Sequence, residues 1–190
     1  MVVIKTKSAR ETQKVASLLA QEISRALEKR AQVIALEGEL GSGKTTFIQG
    51  FARALGVKER VLSPTFVLLK IYKVTSRQAR RINPPTFSQG IGPREKDLKT
   101  PPIPAARPQG IWEGGGIKFR HLIHVDCYRL ESPEELLHLG LHDLLKDKDA
   151  IILIEWADRV QNIIPRDAIW LRFAHGKRPY EREIQIFNFQ

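Results

Sequence analysis

The sequence predicts an α/β fold, with a central, mostly parallel sheet, additional antiparallel strands and flanking helices. Three observations point there. QVIALE (32–37) is a short apolar run that stops at Gly38 and leads, through a glycine-rich turn, into a helical pattern from Lys44 to Leu55. AIILIEW (150–156) is a second and more apolar run, as expected of a parallel strand covered on both faces. AIWLRFAH (168–175) and EREIQIFNF (181–189) alternate in strand fashion around the turn GKRP, which reads as a terminal hairpin.

The remaining elements fit around these. VVI (2–4) reads as an opening strand. Ser8 and Glu11 have capping-box spacing, and Val15, Leu18, Leu19, Ile23 and Leu27 recur at helical spacing up to about Lys29. Gly56 is placed to end the helix that starts at Lys44. TFVLLKIYKV (65–74) and IKFRHLIHVDCYRL (117–130) read as strands. Ser132, Pro133, Glu134 and Glu135 combine an N-cap, a first-turn proline and first-turn acids, so a short helix is expected there, ending near Gly140.

Residues 75–116 differ from everything around them. They hold most of the chain's prolines and many of its glycines, with hardly any apolar periodicity. From Lys73 to Lys118 there are nine Lys or Arg against three Asp or Glu, which supplies most of the formal net charge of +10. Such a segment buries too little apolar surface to offset its chain entropy. The expectation is a single domain over 1–190, interrupted at about 75–116 by a disordered or loosely ordered basic insertion. With the insertion removed, the strands on either side would form a hairpin.

Composition narrows the setting. The only cysteine is Cys127, which excludes an intrachain disulfide and suits a reducing compartment. Neither a secretory signal nor an apolar stretch of membrane-spanning length, about 18 residues, is evident. A cytoplasmic protein is expected, without a membrane or DNA partner.

GELGSGKTT (38–46) matches the phosphate-cradling pattern G-x-x-x-x-G-K-S/T, so the fold is expected to be of the P-loop NTPase class. Gly38, Gly41 and Gly43 allow the backbone, together with Glu39, Leu40 and Ser42, to turn successive N–H groups toward phosphate oxygens. Lys44 brings a positive charge to the terminal phosphates, and Thr45, followed by Thr46, offers a hydroxyl to Mg²⁺. Such a site needs a second metal-side acid at the end of a neighbouring apolar strand. Glu155, after four apolar residues, meets that need; Trp156 beside it reads as packing.

Asp126 ends the strand portion HLIHV. It reads either as a carboxylate that handles the attacking water or as the partner of a salt bridge with Arg129. Thr65 in SPTF reads either as a γ-phosphate-sensing switch or as part of an ordinary turn. His121 and His124 lie along one strand, while His138 and His142 have a spacing without a third ligand.

GELGSGKTT, SPTF, HVDCYRL and IEW, in this order, resemble the TsaE family, the small P-loop ATPases of bacterial tRNA threonylcarbamoyladenosine synthesis. The resemblance covers most of the chain outside roughly 75–116. It implies binding and hydrolysis of ATP with Mg²⁺ in association with the TsaB–TsaD complex, and contact with tRNA only through that complex. It further implies that Lys44 and Thr45 hold phosphate and metal, that Glu155 is the second metal-side acid, and that Asp126 is the catalytic or water-positioning carboxylate. Thr65 becomes the switch threonine, and Thr12 with its neighbours lies near the adenine.

The insertion departs from the family pattern. It is expected to make at most salt-sensitive contact with RNA. Two other readings compete. A small-molecule P-loop kinase would require a hinged lid, and the Pro- and Gly-rich insertion is a poor one. A nucleotide-gated adaptor, or a basic RNA-binding protein, would need little turnover; base-stacking aromatics interleaved with basic residues are lacking.

Overall fold

The structure is a computed structural model that describes residues 2–25, 30–75 and 119–188. The expectation for residues 75–116 falls, apart from Thr75, outside them. Among the described residues twelve elements follow one another: β1 (Val2–Thr6), α1 (Ala9–Arg25), β2 (Gln32–Gly38), α2 (Lys44–Ala54), β3 (Leu69–Lys73), β4 (His121–Asp126), α3 (Pro133–His138), α4 (Leu141–Leu144), β5 (Ala150–Glu155), a 3₁₀ helix (Ala157–Ile163), β6 (Ile169–His175) and β7 (Arg182–Asn188).

The seven strands form one sheet in the order β1-β7-β6-β2-β5-β4-β3. Its centre is parallel, since β2 pairs with β5 and β6, and β5 with β4. Antiparallel neighbours close both sides: β7 and β1 on one, β3 on the other. The α/β expectation and both hairpins are thus realised.

Side chains alternate between the two faces of each strand. Ile34, Leu36, Leu122, Ile151 and Leu153 point to one face, where Phe47, Ile48 and Phe51 of α2 and Ala16 and Ala20 of α1 cover them. Val33, Ala35, Ile123, Val125, Ile152 and Ile154 point to the other, under Leu136, Leu141 and Val160. Two covered faces explain why β5 is apolar at five successive positions. Gly50 lets α2 lie against α1: a Cβ there would come within 2.6 Å of Gln13 Cα and O.

Local chemistry sets the boundaries. Glu11 N donates to Ser8 Oγ at 3.2 Å, and the Glu11 carboxylate accepts from Lys7 N at 2.8 Å, one residue before the expected position. Glu135 Oε1 accepts from the Glu131 and Ser132 amides at 2.8 and 2.9 Å, tying down the start of α3.

Two strands are shorter than their composition suggests. Residues 65–68 are not extended, because the Val67 and Leu68 amides donate back to Pro64 O at 2.9 and 2.7 Å, and Leu68 adopts φ 60°. The second strand stops at Asp126, after which the Leu130 amide donates to Cys127 O at 3.2 Å and the chain turns. The first helix is described to Arg25, and its expected last residues, 26–29, lie outside the described part.

Candidate functional site

The site lies at the C-terminal edge of the parallel strands, on the face covered by α2. β2 delivers the chain to Gly38, whose φ is 131°. No other residue fits there: a Cβ would stand 2.2 Å from Phe173 O on β6. Gly43, at φ 105°, opens α2 without a side-chain cap. The first amides of the helix are left to an external acceptor, and the helix dipole favours an anion there.

Lys44 curls back over this loop. Its Nζ donates to Gly38 O at 2.7 Å and Glu39 O at 2.9 Å, and lies 3.9 Å from the centre of the Trp156 ring. Burial pushes its pKa down, while Glu155, Asp126 and Asp158 pull the other way. The hairpin of β6 and β7 braces the loop from outside. Arg182 Nη2 donates to Gly41 O at 3.1 Å, and His175 Nε2 lies 3.2 Å from Leu40 O.

The acids come from neighbouring strands. Asp126 and Glu155 are paired in register at the ends of β4 and β5 and are only 2% and 3% exposed. Glu155 accepts the Thr45 hydroxyl at 3.0 and 3.1 Å on its two oxygens, and His124 Nε2 lies 2.9 Å from Oε1. Asp126 Oδ1 accepts from the Tyr128 amide at 2.9 Å. Its Oδ2 accepts from Thr65 Oγ1 at 2.5 Å and from Ser63 Oγ.

Among the described residues Asp126 makes no ion pair with Arg129. The Arg129 guanidinium stands instead over the Phe66 ring, 4.3 Å from its centre. The salt-bridge reading of Asp126 therefore gives way to a carboxylate held by hydroxyls and an amide.

A cleft of about 370 Å³ brings together Lys44, Thr45, Thr65, Asp126, Glu155 and Trp156. Leu40, Gly41, Gly43 and Thr46 also line it, whereas Gly38, Glu39 and Ser42 form the loop behind. Thr12 stands apart, 1% exposed, with its hydroxyl 2.8 Å from that of Thr6.

The residues fit a Mg²⁺-nucleotide. A hydroxyl and a carboxylate form the hard-oxygen pair that Mg²⁺ prefers when phosphates complete its shell. Ser42 Oγ, fully buried in the loop, has no hydrogen-bond partner among the described residues. Those residues contain no cluster of three His, Cys, Asp or Glu able to hold a metal without such help.

Ser63, His124 and Tyr128 are additions to the site read from the sequence, and Trp156, read there as packing, lines the cleft. His124 lies two residues before Asp126, so strand periodicity alone places both on one face. Ser63 is a second hydroxyl in the same turn as Thr65. Trp156 adopts φ 58°, a left-handed conformation that costs a bulky residue about 1–3 kcal/mol, and this turns its ring over Lys44 and against Tyr128, 5.1 Å between centres.

Comparison with known proteins agrees with this architecture. The family model described as Threonylcarbamoyl adenosine biosynthesis protein TsaE matches residues 6–84 and 112–184. The tRNA threonylcarbamoyladenosine biosynthesis protein TsaE of Bacillus subtilis is 29% identical over 165 residues, covering 87% of this chain and 72% of that one. The protein of the same name from Haemophilus influenzae is 27% identical over 137 residues, covering 72% of this chain but only 59% of its own length. A crystal structure of Bacillus subtilis YdiB superposes with a TM-score of 0.60 at 23% identity, covering 100% of this chain and 86% of that one. That last likeness is one of fold.

Proposed function

We propose, from the premise that the chain belongs to the TsaE family, that it is a Mg²⁺-dependent ATPase acting with the TsaB–TsaD complex. The family is one of tRNA threonylcarbamoyladenosine biosynthesis, and ATP hydrolysis would support turnover of that modification. The observation that carries the reading is the convergence of Lys44, Thr45, Asp126 and Glu155 in one cleft. No helix among the described residues is long and apolar enough to cross a membrane, and a cytoplasmic setting belongs to the same proposal.

In this reading the loop amides and the start of α2 receive the phosphates. Lys44 exchanges its two carbonyl partners for phosphate oxygens, which suit an ammonium held largely out of water. Thr45 and Glu155 hold Mg²⁺, which supplies charge neutralisation at the phosphate oxygens. Asp126 orients the attacking water and accepts its proton. Ser63 and Thr65 keep that carboxylate in place and let the SPTF turn follow the state of the site. Thr12 and its neighbours at the start of α1 form the base side, with Thr12 acting from beneath the surface.

Glu155→Gln and Asp126→Asn test the reading. Each is expected to retain a fluorescent ATP analogue while turnover falls by about 10²–10⁴-fold, the usual worth of a positioned acid–base or metal-side group. Both are expected to stop tRNA modification in a reconstituted mixture with TsaB–TsaD. Modification that survives both changes would mean that hydrolysis is not the function.

A further inference from the structure

Glu155 is gripped from two sides, and only one grip belongs to the phosphate loop. Thr45 approaches from α2. From β4, His124 Nε2 lies 2.9 Å from Oε1. His124 is 0% exposed, and its Nδ1 is also buried, with no hydrogen-bond partner among the described residues. Packing does not explain this choice of residue. Its neighbours on the same face, Leu122 of β4 and Leu153 of β5, are apolar, and a similar side chain would fill the position without burying an unpaired nitrogen.

A carboxylate oxygen accepts and does not donate, so Nε2–H is the donor in this bond, while Nδ1 makes no hydrogen bond among the described residues. When Thr45 turns its hydroxyl toward a metal, Glu155 loses one of its two partners. His124 remains.

We propose that His124 is a positioning residue for Glu155: the Nε2–H bond holds the carboxylate toward Thr45 and the phosphate loop, and so sets the affinity for Mg²⁺. The inference rests on the reading of the cleft as a Mg²⁺-nucleotide site. Partners of this kind, one bond behind a metal-side group, typically change metal affinity by about 10- to 100-fold when removed.

The test compares three variants by titrating Mg²⁺ into protein saturated with a fluorescent ATP analogue, with metal-free binding measured in EDTA. His124→Leu removes the donor. His124→Gln places an amide nitrogen as many bonds from the backbone as Nε2, and His124→Asn places one at the depth of Nδ1. His124→Leu and His124→Asn are expected to weaken Mg²⁺ by about 10- to 100-fold, with metal-free binding unchanged and largely restored affinity in His124→Gln. Wild-type Mg²⁺ dependence in folded His124→Leu and His124→Asn would overturn the inference while leaving the nucleotide reading intact. A wild-type protein that fails to bind the Mg²⁺-nucleotide would remove both. A measurement independent of variant folding is the ¹⁵N imidazole spectrum of the wild type: His124 should show a protonated Nε2, and an Nε2 without its proton would overturn the proposal.

Discussion

Cys127 directly follows Asp126, but where Asp126 lines the cleft, Cys127 packs into the apolar cluster with Val125 and Leu130. The thiol is fully buried, and burial, with Asp126 and Asp158 nearby, pushes its pKa up to about 12 from 9.0. A thiol that stays protonated is a poor nucleophile. Iodoacetamide at pH 8 should therefore leave native Cys127 unlabelled and react only once guanidinium unfolds the chain; rapid native labelling would show that the strand end opens. The linkage has a definite sign. Unfolded chains lose this proton near pH 9 and folded ones only near 12, so the contribution to stability is complete below pH 9 and fades as the pH rises toward 12. At this scale Lys44 and Thr45 were legible because their spacing within one loop dictates their geometry. Ser63 and His124 were not, because their partners lie 63 and 31 residues away along the chain, and only the order of the strands brings them together.

Helices and strands show the same division between local and distant causes. β2, α2 and β5 agree with their patterns to within a residue, because an apolar run or a cap is a local matter. The SPTF segment deceives because Phe66 and Val67 have strand-like side chains, yet their backbone closes onto Pro64 and leaves them 83% and 65% exposed. The crossing of α1 and α2 is illegible locally, since Gly50 reads as a weak point in a helix until Gln13 is seen against it. Gly50→Ala, which improves helix propensity, should nevertheless destabilise the protein by about 1–3 kcal/mol through overpacking. Urea unfolding followed by circular dichroism measures this; a rise in midpoint would mean that the helices separate freely.

For the molecule as a whole, the alternation of apolar strands and helices was enough to indicate a parallel centre with antiparallel flanks. The strand order was not readable, since it follows from which faces cover which. That order bears on residues 75–116. Lys73 and His121 are paired across β3 and β4, and the Val74 amide donates to Arg120 O at 2.9 Å, so the described residues on either side of the segment are adjacent. Deleting residues 76–115 is expected to leave the melting temperature, ATP hydrolysis and complex-dependent modification largely intact, and loss of either activity would assign the segment a role of its own. The bond between Thr45 and Glu155 has a consequence at the same scale. On the proposed reading, a dissolved Mg²⁺ ion would have to displace the Thr45 hydroxyl from Glu155 with no phosphate to complete its shell. An ion met by bound nucleotide would have that compensation. Free Mg²⁺ should therefore bind the empty protein more weakly than it binds the nucleotide-loaded one.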